Sequence, residues 1–188
     1  MNERIRRHRV DPSPLVEALF RRIETERMQD VPMPNAALRV EAVGFSPWSG
    51  HWLGMLITPW SINLMLLPGE HGAWQSVADG ARAFYRFARG DFAFVGGHEP
   101  EIGEYHSCAL YTHMGELSEQ DMARDVARIA LGVLHRNPAA SPVAPGLPER
   151  KVAIASGAPR PLDRRGFLGC LLRRRGAPTA RPMLPGKT

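Results

Sequence analysis

The 188-residue sequence lacks the features that mark disulfide-rich, zinc-binding and membrane-spanning proteins. Its two cysteines, Cys108 and Cys170, are far apart and provide neither a disulfide framework nor a four-ligand zinc site. The densest apolar stretch, residues 50–69, is interrupted by a proline, a serine and an asparagine before roughly 20 apolar residues accumulate. No apolar segment with a cleavage site follows the charged start of the chain. We therefore expect a cytoplasmic protein without stable membrane insertion.

Motifs for phosphate binding and nucleophilic catalysis are also lacking. The glycines at positions 90, 96 and 97 surround an aromatic segment, without the lysine and the strand-to-helix setting of a phosphate loop. The histidines and glutamates between residues 98 and 113 match no fixed metal-ligand spacing. His106 and Cys108 share one face of a predicted strand, but such a cysteine is usually part of the core. We predict no enzymatic activity, no cofactor and no metal, with metal handling or redox chemistry through His106 and Cys108 as the alternative.

Charge is divided unevenly along the chain. Residues 11–136 contain sixteen acidic and ten basic residues, whereas residues 137–188 contain ten Lys or Arg and two acids. Four further arginines lie within residues 1–10. A nucleic-acid-binding protein is expected to carry its positive charge on the folded domain, so we exclude nucleic acid as a partner. An acidic body with basic ends indicates a receptor for a basic ligand.

Hydrophobic periodicity predicts two helices with a run of strands between them. The helices are predicted over 13–29, starting at Ser13-Pro14, and from Ser118 to about Asn137. Five strands are predicted, with residues 90–103 as a loop, at 38–45, 52–58, 62–68, 83–88 and 104–112. This order predicts a single α+β domain over 13–136, with a mainly antiparallel five-stranded sheet and both helices packed on one face. Residues 1–12 are then a basic N-terminal extension.

From residue 137 onward the sequence predicts a largely extended, basic, proline-rich tail, because nine of the seventeen prolines lie there. Residues 163–175, DRRGFLGCLLRRR, place a short apolar patch between arginines. We interpret this segment as a docking island. Its contacting residues are predicted to be Arg164, Arg165, Phe167 and Leu168.

Four tryptophans, Trp48, Trp52, Trp60 and Trp74, lie within 27 positions of one another. Trp48 and Trp60 fall in predicted turns beside prolines, where an indole is often exposed and serves as a binding anchor. A tryptophan-lined groove on an acidic body is suited to a peptide that is both arginine-bearing and apolar.

The segments FSPWSGHWLGMLITPWSINLMLLPG and FAFVGGHEPEIGEYHSCALYTHM, followed by an alanine-rich helix, resemble the HybE/HoxT family of [NiFe]-hydrogenase assembly chaperones. The resemblance extends from about Leu15 to Leu134. It implies a non-catalytic cytoplasmic protein that assists hydrogenase maturation and recognises the small-subunit precursor with its twin-arginine signal peptide before export. Further implied partners are the large subunit and other maturation chaperones. A rubredoxin-like partner would be a separate protein, because this chain has no Cys-x-x-Cys pair.

Partner binding is predicted within these two segments. The residues are Trp48, Trp52, Trp60, Asn63, Gly97, His98, Glu104 and Tyr105. The tail segment from Arg164 to Leu168 also resembles the twin-arginine consensus that the family's client carries. We hypothesise that it occupies the chaperone's own signal-peptide groove until a client displaces it.

Overall fold

The computed structural model describes residues 4–28, 35–87 and 90–134, and the predicted docking island lies outside them. The described residues form two α-helices, six β-strands and a short 3₁₀ turn over Met114–Glu116. The elements are α1 (Ser13–Arg27), β1 (Glu41–Trp48), β2 (His51–Thr58), β3 (Ser61–Leu67), β4 (Arg82–Phe87), β5 (Gly90–Glu99), β6 (Gly103–Tyr111) and α2 (Gln120–Leu134). No helix within these ranges is long and apolar enough to cross a membrane.

The strands form one antiparallel sheet in the order β1-β2-β3-β6-β5-β4. Two three-stranded meanders, β1-β2-β3 and β4-β5-β6, are therefore joined side by side through β3 and β6. In this joint Leu64 pairs with Cys108 and Leu66 with His106. The long connection between β3 and β4 crosses the sheet from the joint to the far edge.

The sheet has six strands, so the prediction of five strands with a loop over 90–103 was wrong. The adjacent Gly96 and Gly97 favoured a loop, but in β5 each gives space to another group. A Cβ atom on Gly96 would lie 2.4 Å from Val77 in the β3–β4 connection, and one on Gly97 would lie 2.6 Å from the Tyr105 ring. The glycines thus allow close packing over a regular strand.

The two helices lie on opposite faces of the sheet, which corrects the prediction that they share one face. Strands β2 and β3 are apolar on both faces of the sheet, so both faces must be shielded from water by other elements. On the face that we call the inner face, Leu53, Met55 and Ile57 of β2 cluster with Val126, Ala127 and Leu131 of α2. On the outer face, Leu56, Met65 and Leu67 cluster with Val16 and Leu19 of α1.

The two edge strands of the sheet meet across its inner face. Trp48 at the end of β1 stacks on Phe87 of β4, with ring centroids 5.1 Å apart. In a flat sheet these strands would be about 24 Å apart, since neighbouring strands are separated by about 4.8 Å. The sheet is therefore strongly curled around the inner-face core.

The helix boundaries differ slightly from prediction. Helix α1 begins at Ser13 as predicted and ends at Arg27, and Pro12 occupies the capping position without a side-chain hydrogen bond. The Asp11 carboxylate instead accepts hydrogen bonds from the backbone N–H and the hydroxyl of Ser13. Helix α2 begins at Gln120 rather than at Ser118.

Candidate functional site

The structure separates the predicted partner-binding residues into three places. Trp48 is 7% exposed and belongs to the inner-face core, so the expectation of an exposed indole was wrong for this residue. Trp60 and Asn63 lie half-buried where β2 turns into β3. The remaining five lie around the end of the β3–β6 joint: Trp52, Gly97, His98, Glu104 and Tyr105.

At this end of the joint, β3 and β6 diverge, and the N-terminal segment of the chain lies between them. We call the space between Pro68-Gly69 and residues 102–104 the fork. The backbone N–H of His8 donates to the Pro68 carbonyl (2.9 Å), and His8 forms a parallel bridge with Gly69. On the other side of the fork, the Glu104 N–H donates to the Arg4 carbonyl (2.8 Å). Residues 4–8 thus form backbone hydrogen bonds to both sides of the fork.

The imidazole of His8 anchors this segment. Its side chain is 6% exposed, and its Nε2 donates to the Ile102 carbonyl at 3.0 Å. The His8 carbonyl accepts a hydrogen bond from the indole of Trp52, also at 3.0 Å. Burial lowers the pKa of His8, so the ring is neutral at physiological pH.

All four arginines of the segment contact carbonyl or carboxylate oxygens of the body. Arg7 Nη1 donates to the Gly69 carbonyl at 2.9 Å and the Gly72 carbonyl at 2.8 Å. The other three partners are the Glu101 carbonyl for Arg6 (2.8 Å), Asp79 for Arg4, and Glu70 for Arg9 (3.2 Å). The turn over residues 69–72 therefore forms a small set of carbonyl oxygens suited to a guanidinium group.

Glu104 connects the fork to the inner face. Glu104 is 2% exposed, and its carboxylate accepts hydrogen bonds from the Trp74 indole (2.9 Å) and the Ser76 hydroxyl (2.7 Å). It also lies 3.6 Å from Nε of Arg4, which is an ion-pair distance rather than a hydrogen bond. The β3–β4 connection is thereby fixed beside the N-terminal segment.

His106 and Cys108 do share the inner face, but both are 1% exposed. His106 Nδ1 lies 2.7 Å from the Tyr85 hydroxyl, and the imidazole stacks on Trp74. Burial lowers the pKa of His106 to about 4, and among the described residues its Nε2 has no hydrogen-bond partner. Within the described part of the chain, no group of three or more His, Cys, Asp or Glu is arranged to hold a metal ion. The metal-handling alternative gains no support from this geometry.

A second surface lies on the part of the outer face that is distant from α1. Phe84 and Val95 are 47% and 42% exposed there. Val95 pairs with Ser107 on one side and with Arg82 on the other. Phe84 pairs with Ala93 and lies between the exposed Arg82 and Arg86 on β4. We call this surface the outer patch, and it consists of Asn63, Phe84, Ala93, Val95, Ser107 and Ala109. Trp60 packs instead against the outer-face cluster that includes Val16 and Leu19 of α1.

Sequence reasoning missed the residues that fill the fork. In the sequence, Arg4, Arg6 and Arg7 indicate only positive charge, and His8 belongs to no motif. The available signal was the alternation of arginine with apolar residues and histidine in RIRRHRV, which is compatible with an extended segment. Their acceptors lie more than 60 positions away in the chain, so the contacts could not be inferred from local patterning.

A family model described as [NiFe]-hydrogenase assembly, chaperone, HybE matches residues 11–170. The hydrogenase expression/formation protein HupJ of Bradyrhizobium diazoefficiens is 36% identical over 163 residues, covering 86% of this chain and 90% of the relative. Protein HoxT of Cupriavidus necator is 36% identical over 165 residues, covering 81% and 85%. The probable rubredoxin HupJ of Rhodobacter capsulatus is 38% identical over 112 residues, and this chain spans only 40% of that relative.

The solution structure of HybE from Escherichia coli has the same fold. It superposes with a TM-score of 0.60 at 21% sequence identity, covering 85% of this chain and 97% of that one. The residues quoted above as a resemblance lie inside the family match. Given that match and the 36% identity to HupJ over most of both chains, the protein belongs to the HybE family of [NiFe]-hydrogenase assembly chaperones.

Proposed function

We propose that this chaperone binds the precursor of the hydrogenase small subunit through its twin-arginine signal peptide, in the cytoplasm and before export. It holds the precursor by non-covalent contacts and performs no covalent chemistry. The large subunit, other maturation chaperones and a separate rubredoxin-like protein are proposed as additional partners of the same assembly step.

The observation that carries this proposal is the exposed apolar outer patch on an acidic body. The signal peptide of the proposed client is basic and then apolar. Phe84 and Val95 offer an exposed apolar surface, and the half-buried Trp60 lies at the β2–β3 turn on the same face of the sheet. Residues 11–136, which include the described helices and strands, contain sixteen acids against ten basic residues. The two properties of the client therefore have complementary surfaces on one molecule.

Replacing Trp60 with alanine is expected to weaken binding of the precursor by about 2 kcal/mol, or roughly 30-fold. The indole would lose its contact with the client, while the turn between β2 and β3 would keep its backbone. Calorimetric titration of the purified precursor measures the affinity, and Trp60→Phe is the control that retains an aromatic ring. A large decrease in melting temperature with unchanged affinity would show that Trp60 has only a structural role.

Association of the chaperone with the signal peptide is expected to slow as ionic strength rises. Charges around an interface act mainly on the association rate, and the Debye length falls from about 10 Å at 0.1 M salt to about 3 Å at 1 M. Stopped-flow measurements over this range provide the test. A salt-independent association rate would contradict recognition of the peptide's arginines by the acidic body.

The tail hypothesis is tested by truncation before Pro161. If the segment from Arg164 to Leu168 competes for the signal-peptide site, the shortened protein should bind an isolated signal peptide more tightly than the full chain. Fluorescence anisotropy of a labelled peptide gives both affinities. Equal or weaker binding would exclude autoinhibition by the tail.

A further inference from the structure

The N-terminal segment, residues 4–9, contains four arginines and lies in the fork, where it forms backbone and side-chain hydrogen bonds to the rest of the chain. We infer that the fork is the site that receives the client's arginine pair, and that residues 4–9 occupy it when no client is bound. This inference rests on the proposed function and adds the position and chemistry of the arginine site. The client must displace the segment in order to bind.

The backbone contacts in the fork are independent of side-chain identity. The Pro68 carbonyl accepts a hydrogen bond from the segment on one side, and the Glu104 N–H donates one on the other. Any extended peptide can form such bonds, as in recognition by strand addition. Gly103 permits the close approach, because a Cβ atom there would lie 2.7 Å from the backbone nitrogen of Arg6. The fork is thus shaped to accept a main chain.

The groups around the fork select for arginine. Two carbonyl oxygens, those of Gly69 and Gly72, accept from one nitrogen of the Arg7 guanidinium. The Glu101 carbonyl accepts from Arg6 on the neighbouring position of the segment. A guanidinium has five donors in a fixed plane, whereas the lysine ammonium is a compact and more strongly hydrated charge. Adjacent arginines in an extended peptide therefore fit this arrangement better than adjacent lysines.

The fork retains space beside its occupant. A pocket of about 540 Å³ is lined by Arg4, Ile5, Arg6, His98, Pro100 and Gly103. Three of its lining residues, Arg4, Ile5 and Arg6, belong to the segment itself, so displacement of the segment enlarges this space for the side chains that flank a client's arginine pair. The path to the outer patch is also short, since Glu104 and Ser107 are three residues apart in β6, or about 10 Å.

The site and its occupant differ in their relation to the family. The family model matches from residue 11, so residues 4–9 lie before it, whereas the carbonyls at 68–72 and 101–104 lie within it. A tethered segment has an effective concentration that reaches the millimolar range, so weak individual contacts are sufficient to keep the fork filled.

The displacement is directly observable in the full chain by NMR-detected amide exchange. The probe is a synthetic peptide with an arginine pair, one spacer residue and Phe-Leu. At saturation, the His8 amide is expected to exchange about tenfold faster or more, because its bond to Pro68 is lost when the segment leaves. The Glu104 amide should stay protected, since the peptide replaces Arg4 as its acceptor. Retained protection of His8 with the peptide bound would overturn the inference and leave the proposed function intact.

A double substitution provides the second test. In the full chain, Arg6→Ala with Arg7→Ala is expected to tighten binding of the peptide about tenfold, because the competing segment is weakened. The charge-matched control is Arg39→Ala with Arg128→Ala, which removes two exposed arginines near α2 and should leave the affinity unchanged. A lysine-pair peptide should bind at least about tenfold more weakly than the arginine-pair peptide.

The outcomes separate the two proposals. Unchanged or weaker binding by the Arg6/Arg7 variant would show that residues 4–9 do not compete with the peptide for the fork, even if the wild-type chain binds the peptide well. A peptide that binds neither the wild-type chain nor the variant contradicts the proposed function, and with it the inference. Truncation of the tail leaves Arg6 and Arg7 in place, so competition by the tail is measured independently.

Discussion

Replacing Trp48 with alanine is expected to lower the free energy of unfolding by about 3–5 kcal/mol, the range for large aromatic residues truncated in a core. The indole is 7% exposed, stacks on Phe87 and meets the edge of the Tyr85 ring. Its loss would leave a cavity at the place where the edges of the curled sheet meet. Urea denaturation followed by far-UV circular dichroism measures the change.

Trp60→Ala is the natural comparison, because the two tryptophans lie in similar sequence surroundings beside prolines. Its effect on stability should be much smaller than that of Trp48→Ala, since the Trp60 side chain is only half-buried. Trp48→Phe should recover part of the lost stability by filling part of the cavity. A loss below about 1 kcal/mol for Trp48→Ala would contradict its placement in the core.

Glu104→Ala is expected to destabilise the fold by about 2–4 kcal/mol. The substitution leaves the Trp74 indole N–H without its acceptor, and an unsatisfied buried polar group costs about 1–3 kcal/mol. It also removes a buried partner of Arg4, whose side chain is 43% exposed, so we assign the smaller part of the loss to this ion pair. Thermal denaturation gives the stability, and the Trp74 indole signal in NMR reports the local change.

Asp79→Ala is the matched control, because Asp79 pairs with the same arginine but is 61% exposed. Its removal should cost less than about 1 kcal/mol, as is usual for surface ion pairs. If both variants lost the same stability, the Arg4 pair rather than the buried acceptor would be the important contact of Glu104.

Most of the fold could be predicted from the sequence because its hydrophobic pattern is strong. The apolar runs that became β2 and β3 were placed within one residue of their observed bounds. The side of α2 that packs against the sheet was less predictable. Met122 and Ile129 follow the helical spacing but are 40% and 38% exposed, whereas alanines line the buried face. Small residues allow α2 to approach the sheet, where a Cβ atom on Gly44 would lie 2.8 Å from Leu131.

The candidate site was predicted only in part, for a different physical reason. Trp52, Glu104 and Tyr105 lie near the fork, and they belong to segments whose strand pattern is clear. The occupant of the fork has no such pattern, because its hydrogen bonds form with backbone groups that become available only where β3 and β6 diverge. The sequence shows the positive charge of these arginines but not the groups that they contact. Tertiary geometry supplies that information.

The joint between the two meanders also has a consequence for the order of folding. Within each meander the strands are joined by short turns, so their contacts are local and form quickly. Pairing Leu64 with Cys108 instead closes a loop of about forty residues, which is entropically costly and slow. We expect this pairing to limit the folding rate, with the fork as the last part of the sheet to assemble. A newly synthesised chain would then acquire the proposed arginine site only on completing its fold, so an immature chaperone would not capture clients through it.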